Sequence, residues 1–268
     1  MQIGISTASL FNRCDLEDTP PLLASYGATV CEVFLNTFCE YEEAFAVLLS
    51  GRIRQAGLKV YSVHPMGTQF EPQLFSLYHR QREDALAIFE KVLRAGQRLG
   101  ARYYVMHGPA SLGGAVKNMQ LSRIGPIVNA LCAFAARYGI NLAWENVSWG
   151  LFHHPSFGPA LYEAAKSEHL FFTLDIKQAA RSGHSPYAYL DAMGDRMVNL
   201  HLCDYTRHNN RLTPALPGKG RFDFGRLREA LIKHRYTGSA FFEVYSDLYD
   251  TDEEFQASYD FVKTQLSF

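Results

Sequence analysis

The sequence predicts an α/β protein folded as a (β/α)8 barrel. Three observations carry that prediction: the chain length, eight short apolar runs in a steady rhythm, and the absence of a glycine-rich turn after the first of them. The 268 residues are 47% hydrophobic and 20% charged, so a large core is affordable and a mainly disordered chain is excluded. α/β barrels commonly reach about 250 residues as one unit. Residues 1–268 are therefore read as one barrel domain, with no linker or low-complexity segment.

The runs are Ile3–Thr7, Val30–Leu35, Lys59–His64, Tyr103–His107, Leu142–Val147, Phe171–Ile176, Val198–Cys203 and Ala240–Tyr245. They are rich in Val, Ile, Phe, Tyr and Leu with little alternation, as parallel strands buried on both faces require. Their starts lie 27 to 44 residues apart, which leaves room for a helix in each interval. An open doubly wound sheet is the competing architecture. It would place G-x-G-x-x-G after the first strand, where this chain has Ala-Ser-Leu-Phe-Asn-Arg-Cys.

The helices have local signals of their own. Over 75–99, Leu77, Ala85, Phe89, Val92, Gly96 and Leu99 keep mostly three- and four-residue spacing, and Gly100 supplies the stop. Asp223 is placed to cap a helix carrying Leu227 and Leu231. Thr251 and Glu254 read as a capping box for a last helix with Phe255, Tyr259, Val262 and Leu266 on one face. The segment 185–195, with Pro186 and Gly194, is the weakest helix.

Charge and cysteine content narrow the function classes. Twenty-six basic and 27 acidic residues give a net charge of -1, which argues against a protein that coats nucleic acid or an anionic membrane. No apolar run approaches the roughly 18 residues that cross a bilayer. The N-terminus passes straight into a strand without a basic leader. Five scattered cysteines without a CxxC pair fit reduced thiols and a cytoplasmic location. No nucleic-acid or membrane partner is expected, and a homo-oligomer is left open.

The chemistry sits where polar groups interrupt the apolar strands. The fifth strand ends in Trp-Glu145-Asn and the sixth in Leu-Asp175-Ile. The seventh reads Leu-His201-Leu-Cys-Asp204 and the eighth Phe-Glu243-Val. Each group lies at or near the C-terminal end of its strand, the end that forms the active-site face of such barrels. Any one of them alone reads as a salt bridge or a hydrogen-bonded core group. Three carboxylates converging with one imidazole cannot all pair with one another, and a divalent cation removes the conflict. Three oxygen donors and one nitrogen suit Mn, Mg or Zn.

With these residues in hand, the chain resembles the xylose-isomerase-like barrels, which include metal-dependent sugar isomerases and epimerases, inosose-type enzymes and the endonuclease IV branch. The resemblance spans the whole chain. It is carried by Trp-Glu145-Asn, Leu-Asp175-Ile-Lys-Gln, His201-Leu-Cys-Asp204-Tyr-Thr-Arg207, Leu-Pro-Gly218-Lys-Gly220 and Phe-Glu243-Val. It implies that Glu145, Asp175, His201 and Glu243 hold one divalent metal ion and that Arg207 holds substrate oxygens. It also implies that His64 and His107 line the site, as they bind extra metals in the endonuclease branch. Lys177 and Gln178 join the substrate-binding set, with Lys177 able to reach a substrate oxygen or phosphate or to lean on a neighbouring carboxylate.

The departures matter equally. Gln178 stands where the family often has a histidine, and Leu151 where the epimerases carry a further glutamate. The stretch 210–216, Asn-Arg-Leu-Thr-Pro-Ala-Leu, lacks the Asp-x-His pair of the endonuclease branch. Glu32 is expected to be a salt-bridge partner inside the barrel, and Trp149, Phe152, His153 and His154 to form one wall of a pocket. Gly218-Lys219-Gly220 lacks the spacing of a phosphate loop and reads as a turn after the seventh strand.

The resemblance implies isomerisation or epimerisation of a small sugar, keto-polyol or sugar phosphate through an enediolate, with Glu145 and Glu243 moving the proton. Three alternatives remain at this level. One is an endonuclease IV-like phosphodiesterase acting on abasic DNA. Another is dehydration of a keto-polyol by the same enolate logic. The third is a sugar-binding barrel without turnover.

Overall fold

The computed structural model describes residues 1–110, 120–209 and 211–267. Its strands are β1 (Gln2–Ser6), β2 (Val30–Leu35), β3 (Lys59–Pro65), β4 (Tyr103–Met106), β5 (Asn141–Glu145), β6 (Leu170–Asp175), β7 (Met197–Leu202), β8 (Asp204–His208), β9 (Arg211–Ala215) and β10 (Ser239–Phe242). Its α-helices are α1 (Thr19–Ser25), α2 (Glu43–Gln55), α3 (Glu71–Leu74), α4 (His79–Leu99), α5 (Leu121–Ala136), α6 (Phe157–Ala165), α7 (Ile176–Arg181), α8 (Pro186–Met193), α9 (Phe224–Lys233) and α10 (Asp252–Leu266). β1 to β7 and β10 close into a parallel barrel in the order β1-β10-β7-β6-β5-β4-β3-β2. All eight apolar runs are thus barrel strands.

The signals read for the helices act as expected except at the start of the 75–99 segment, where α4 begins only at His79 and Leu77 is left outside it and exposed. Gly100 ends α4 with φ +82°, a left-handed conformation that glycine adopts without a Cβ penalty. The Asp223 carboxylate accepts from the Arg226 amide at the start of α9. Thr251 accepts from the Glu254 amide, and Glu254 reaches back to the Asp250 amide at 2.9 Å. Phe255 of α10 packs on Phe242 of β10 and on Tyr26 after α1, with ring centroids 5.0 and 4.7 Å apart. The last helix thereby seals the seam where β10 meets β1.

One element departs from expectation. The segment after β7 is an antiparallel hairpin, β8 paired with β9, where only a long loop with a turn was expected. Pro214 lies inside β9, and proline within a run argues against a strand unless the strand is an edge. A two-stranded ribbon has such edges. Residue 210, within the stretch compared with the endonuclease branch, lies outside the described residues.

Asp204 anchors the hairpin. Its buried carboxylate accepts from the amides of Tyr205, Gly218, Gly220 and Phe222 at 2.7, 3.1, 3.0 and 2.9 Å. The Gly-Lys-Gly segment is therefore a turn wrapped around a carboxylate, and a Cβ at Gly220 would collide with Asp204. Leaving buried donors unpaired costs about 1–3 kcal/mol each. Asp204→Ala should lower unfolding stability in urea by about 3 kcal/mol, with Asp204→Asn recovering part of the loss.

Candidate metal centre

Strand alternation builds two polar layers inside the barrel. Residues two apart face the same way, and the register sets Ser6 beside Glu32, Glu32 beside Ser62, and Thr173 beside Asn199. One step toward the C-terminal rim, Asp175 stands beside His201, and Glu145, opposite Thr173, closes β5. The Glu243 amide donates to Leu202 O at 3.1 Å, which brings Glu243 to the other side of His201. The rim order is Glu243, His201, Asp175, Glu145 on four neighbouring strands.

Ligand atoms of these four residues all lie within 4.8 Å of one another. His201 Nδ1 is 2.8 Å from Glu243 Oε2 and 3.3 Å from Glu145 Oε1. Asp175 Oδ1 accepts from the Gln178 amide at 2.7 Å, as the N-cap of α7. Asn146 fixes the neighbouring strand ends. Its carbonyl oxygen accepts from the Asp175 amide at 2.8 Å and its amide donates to Asp175 O at 3.0 Å.

Beneath the four lies Glu32, fully buried. It accepts from Ser6, Ser62 and Asn199 at 3.2, 2.7 and 2.8 Å and sits 3.1 Å from His201 Nε2. The expected salt-bridge partner is thus also the group that orients the imidazole. With Nε2–H given to Glu32, the Nδ1 lone pair faces Glu145 and Glu243. Carboxylate–histidine pairs of this kind orient metal ligands and fix their tautomer.

Burial raises the Glu145 and Glu32 carboxyls, but the surrounding imidazoles outweigh it and hold both well below the usual range. Burial likewise raises Glu243, and His201 more than offsets it. Asp175 is raised by burial, helped by the charges of Glu145 and Glu243 against the pull of Lys177. Burial lowers the His201 imidazole, yet Glu243, Glu32 and Glu145 together carry it well above its ordinary value. The surrounding carboxylates therefore favour a positive charge at the centre of the cluster. A divalent cation supplies that charge directly, and the donor set fits one.

His64 and His107 meet above this centre, Nε2 to Nε2 at 3.0 Å. His107 Nε2 is also 3.0 Å from Glu145 Oε2. His64, His107 and Glu145 form a second group of close donor atoms that shares Glu145 with the first. The His107 strand end is held by Glu71, a buried carboxylate that the sequence did not single out. It accepts from the His107 and Gly108 amides at 2.9 and 2.8 Å and from the Tyr104 hydroxyl at 2.9 Å.

A cavity of about 350 Å³ opens over the cluster. His64, His107, Glu145, Asp175, Lys177, Gln178 and Glu243 all line it, whereas His201 is sealed in the floor. The Gln178 side-chain oxygen Oε1 accepts from the Ser148 hydroxyl at 2.8 Å. Lys177 Nζ lies 3.4 Å from Asp175 Oδ2. Arg207 is placed elsewhere: it is exposed on β8 and its guanidinium donates to Ala180 O at 2.9 Å. Of the expected wall, Trp149 lines the cavity. Phe152 is buried against Phe157 and Phe172, His153 bonds Gly150 O, and His154 packs on His184. Tyr245 supplies a further wall that was not anticipated. Glu32 also forms a group of close donor atoms with His64, His201 and Glu243. Because it is the partner that orients the His201 ring, Glu32→Gln should weaken divalent-metal affinity by about 10–100-fold, measured by chelator competition.

The chain matches the family model for xylose isomerase-like TIM barrels over residues 21–265. No curated protein matches it significantly. Among solved structures it is similar to D-psicose 3-epimerase with D-tagatose from Clostridium cellulolyticum H10, at 18% identity, full coverage of both chains and a TM-score of 0.81. It is similar to IolI protein with a bound zinc atom, at 17% identity, full coverage of both chains and a TM-score of 0.81. An L-ribulose 3-epimerase is similar at 19% identity, with 99% of this chain and 95% of that chain covered and a TM-score of 0.80. Among the described residues, no helix is long and apolar enough to cross a membrane. With its closed barrel and the rim order of its acidic strand ends, the chain belongs to the xylose isomerase-like TIM barrel family.

Proposed function

We propose that the protein is a divalent-metal-dependent isomerase or epimerase of a small sugar, keto-polyol or sugar phosphate. One observation carries the reading: two glutamates flank a shared His–Asp pair at the floor of a cavity sized for a small molecule. The sugar epimerases among the similar structures support it, as does the relative with zinc. Glu145, Asp175, His201 and Glu243 would hold Mn, Zn or Mg, and that ion supplies a Lewis acid for adjacent carbonyl and hydroxyl oxygens.

The protein side chains do the rest. Glu145 and Glu243 reach the cavity from opposite sides of the His201–Asp175 pair, so one can remove a proton from carbon and the other return it. Glu243 is the more accessible, with 14% of its side chain exposed against 3% for Glu145. It is therefore the better placed to reach a C–H bond. His107, held by Glu71 and close to Glu145 and His64, can pass a hydroxyl proton within reach of the enediolate oxygens. Trp149 and Tyr245 exclude water and offer flat faces to the C–H surface of a substrate.

Incubation with a ketose and inosose panel in D2O with added Mn should give deuterium uptake by NMR. Glu243→Gln should reduce that exchange by at least about 10²-fold while sparing the fold, and a mutant with full exchange would remove Glu243 from this role.

The His64–His107–Glu145 group favours a second reading, a two-metal phosphodiesterase. Metal analysis separates the two. The isomerase reading expects one tightly held ion per chain and no cleavage of an abasic duplex. Two tight ions with cleavage would establish the phosphodiesterase.

A further inference from the structure

We propose that Lys177 is an anion-binding residue of the cavity and that the substrate is a short hydroxy-keto acid whose carboxylate adjoins the reacting carbons. This rests on the metal-dependent isomerase reading and narrows it.

Lys177 is only 4% exposed, and a buried ammonium must be compensated. Its polar contact among the described residues is Asp175 Oδ2 at 3.4 Å, longer than the roughly 2.7–2.9 Å of a direct charge-assisted bond. The ring of Tyr245 lies 4.5 Å from Nζ. An ammonium offers three donors, so this one is under-used where it lines the cavity. Asp175 cannot serve it fully. One oxygen is committed to the Gln178 amide, and the carboxylate belongs to the set that would neutralise a cation. With that cation held, the charge on Lys177 is left for a group from outside.

Position decides which group. Nζ is one contact away from a ligand oxygen. An anion that reaches it must sit beside the oxygens gathered at the cluster, as a carboxylate joined to the reacting carbonyl does. A phosphate at the far end of a pentose or hexose would lie several bonds away. The opposite walls, Phe11, Phe34 and Met66, carry nothing to bond a long row of hydroxyls, which favours a short substrate. Behind the Tyr245 wall, Arg181 donates to the Tyr245 hydroxyl at 3.0 Å, and a second cation there raises the local concentration of anions.

The test is calorimetric titration of the manganese-loaded protein with D-glycerate and with glycerol, which differ by a carboxylate in place of a hydroxymethyl group. Wild type should bind glycerate at least about tenfold more tightly. Lys177→Met and Lys177→Gln should lose most of that preference and Lys177→Arg should keep part of it. Manganese affinity, titrated separately, should not weaken in Lys177→Met, because a nearby positive charge is removed. Equal binding of the two ligands by wild type, or an undiminished preference in the folded variants, would overturn the proposal while leaving the metal reading intact. Failure of wild type to bind manganese would overturn both.

Discussion

The barrel interior is organised around one buried imidazole. His201 has no exposure and faces carboxylates at both ring nitrogens, Glu32 at 3.1 Å on one side and Glu243 at 2.8 Å on the other. This sandwich sets the direction of the cluster. Glu32 takes the lower nitrogen, so the upper one belongs to the group assembled at the rim. Ser6, Ser62 and Asn199 secure Glu32, and that layer replaces the branched aliphatic residues that usually fill such barrels. Most apolar residues of the strands are turned outward, where the helices cover them, while a separate cluster of Tyr61, Tyr103, Ala143, Phe171 and Val198, with Phe241 against Tyr61, packs on the barrel side below the polar layers. Stability is carried mainly between strands and helices, and the polar groups occupy the interior toward the C-terminal rim.

Much of this was legible in the sequence for a geometric reason. A strand alternates faces, so a lone acid at the end of an apolar run is either a mistake in packing or a group aimed into the barrel. Glu145, Asp175, His201 and Glu243 repeat that feature on successive strands, and parallel register puts them side by side. The pair separation of Asn199 and His201 carried the same signal for the layer below, though it was less conspicuous. Glu32 was legible as a barrel-interior ion partner. Its role in orienting His201 depends on which strands meet across the barrel, which no local pattern reports.

Other parts were hidden for equally physical reasons. Glu71 lies in a short helix among residues of ordinary loop composition, and its importance comes from the backbone of a different segment, His107 and Gly108. The hairpin β8–β9 was masked by Pro214. That hairpin carries Arg207 to the end of α7, so a spacing of six residues from His201 did not translate into a place in the cavity. Asp204 sits one step beyond β7 and bonds four amides. It is an organiser of the loop beside the site, and its proximity in sequence to His201 gives no hint of that difference.

The account stands on a cation shared by four side chains. Anomalous diffraction from crystals grown with manganese tests it most directly. The account predicts a strong peak about 2.2 Å from His201 Nδ1 and from carboxylate oxygens of Glu145, Asp175 and Glu243. Saturating manganese with no peak among those four residues, or one only between His64 and His107, would contradict it.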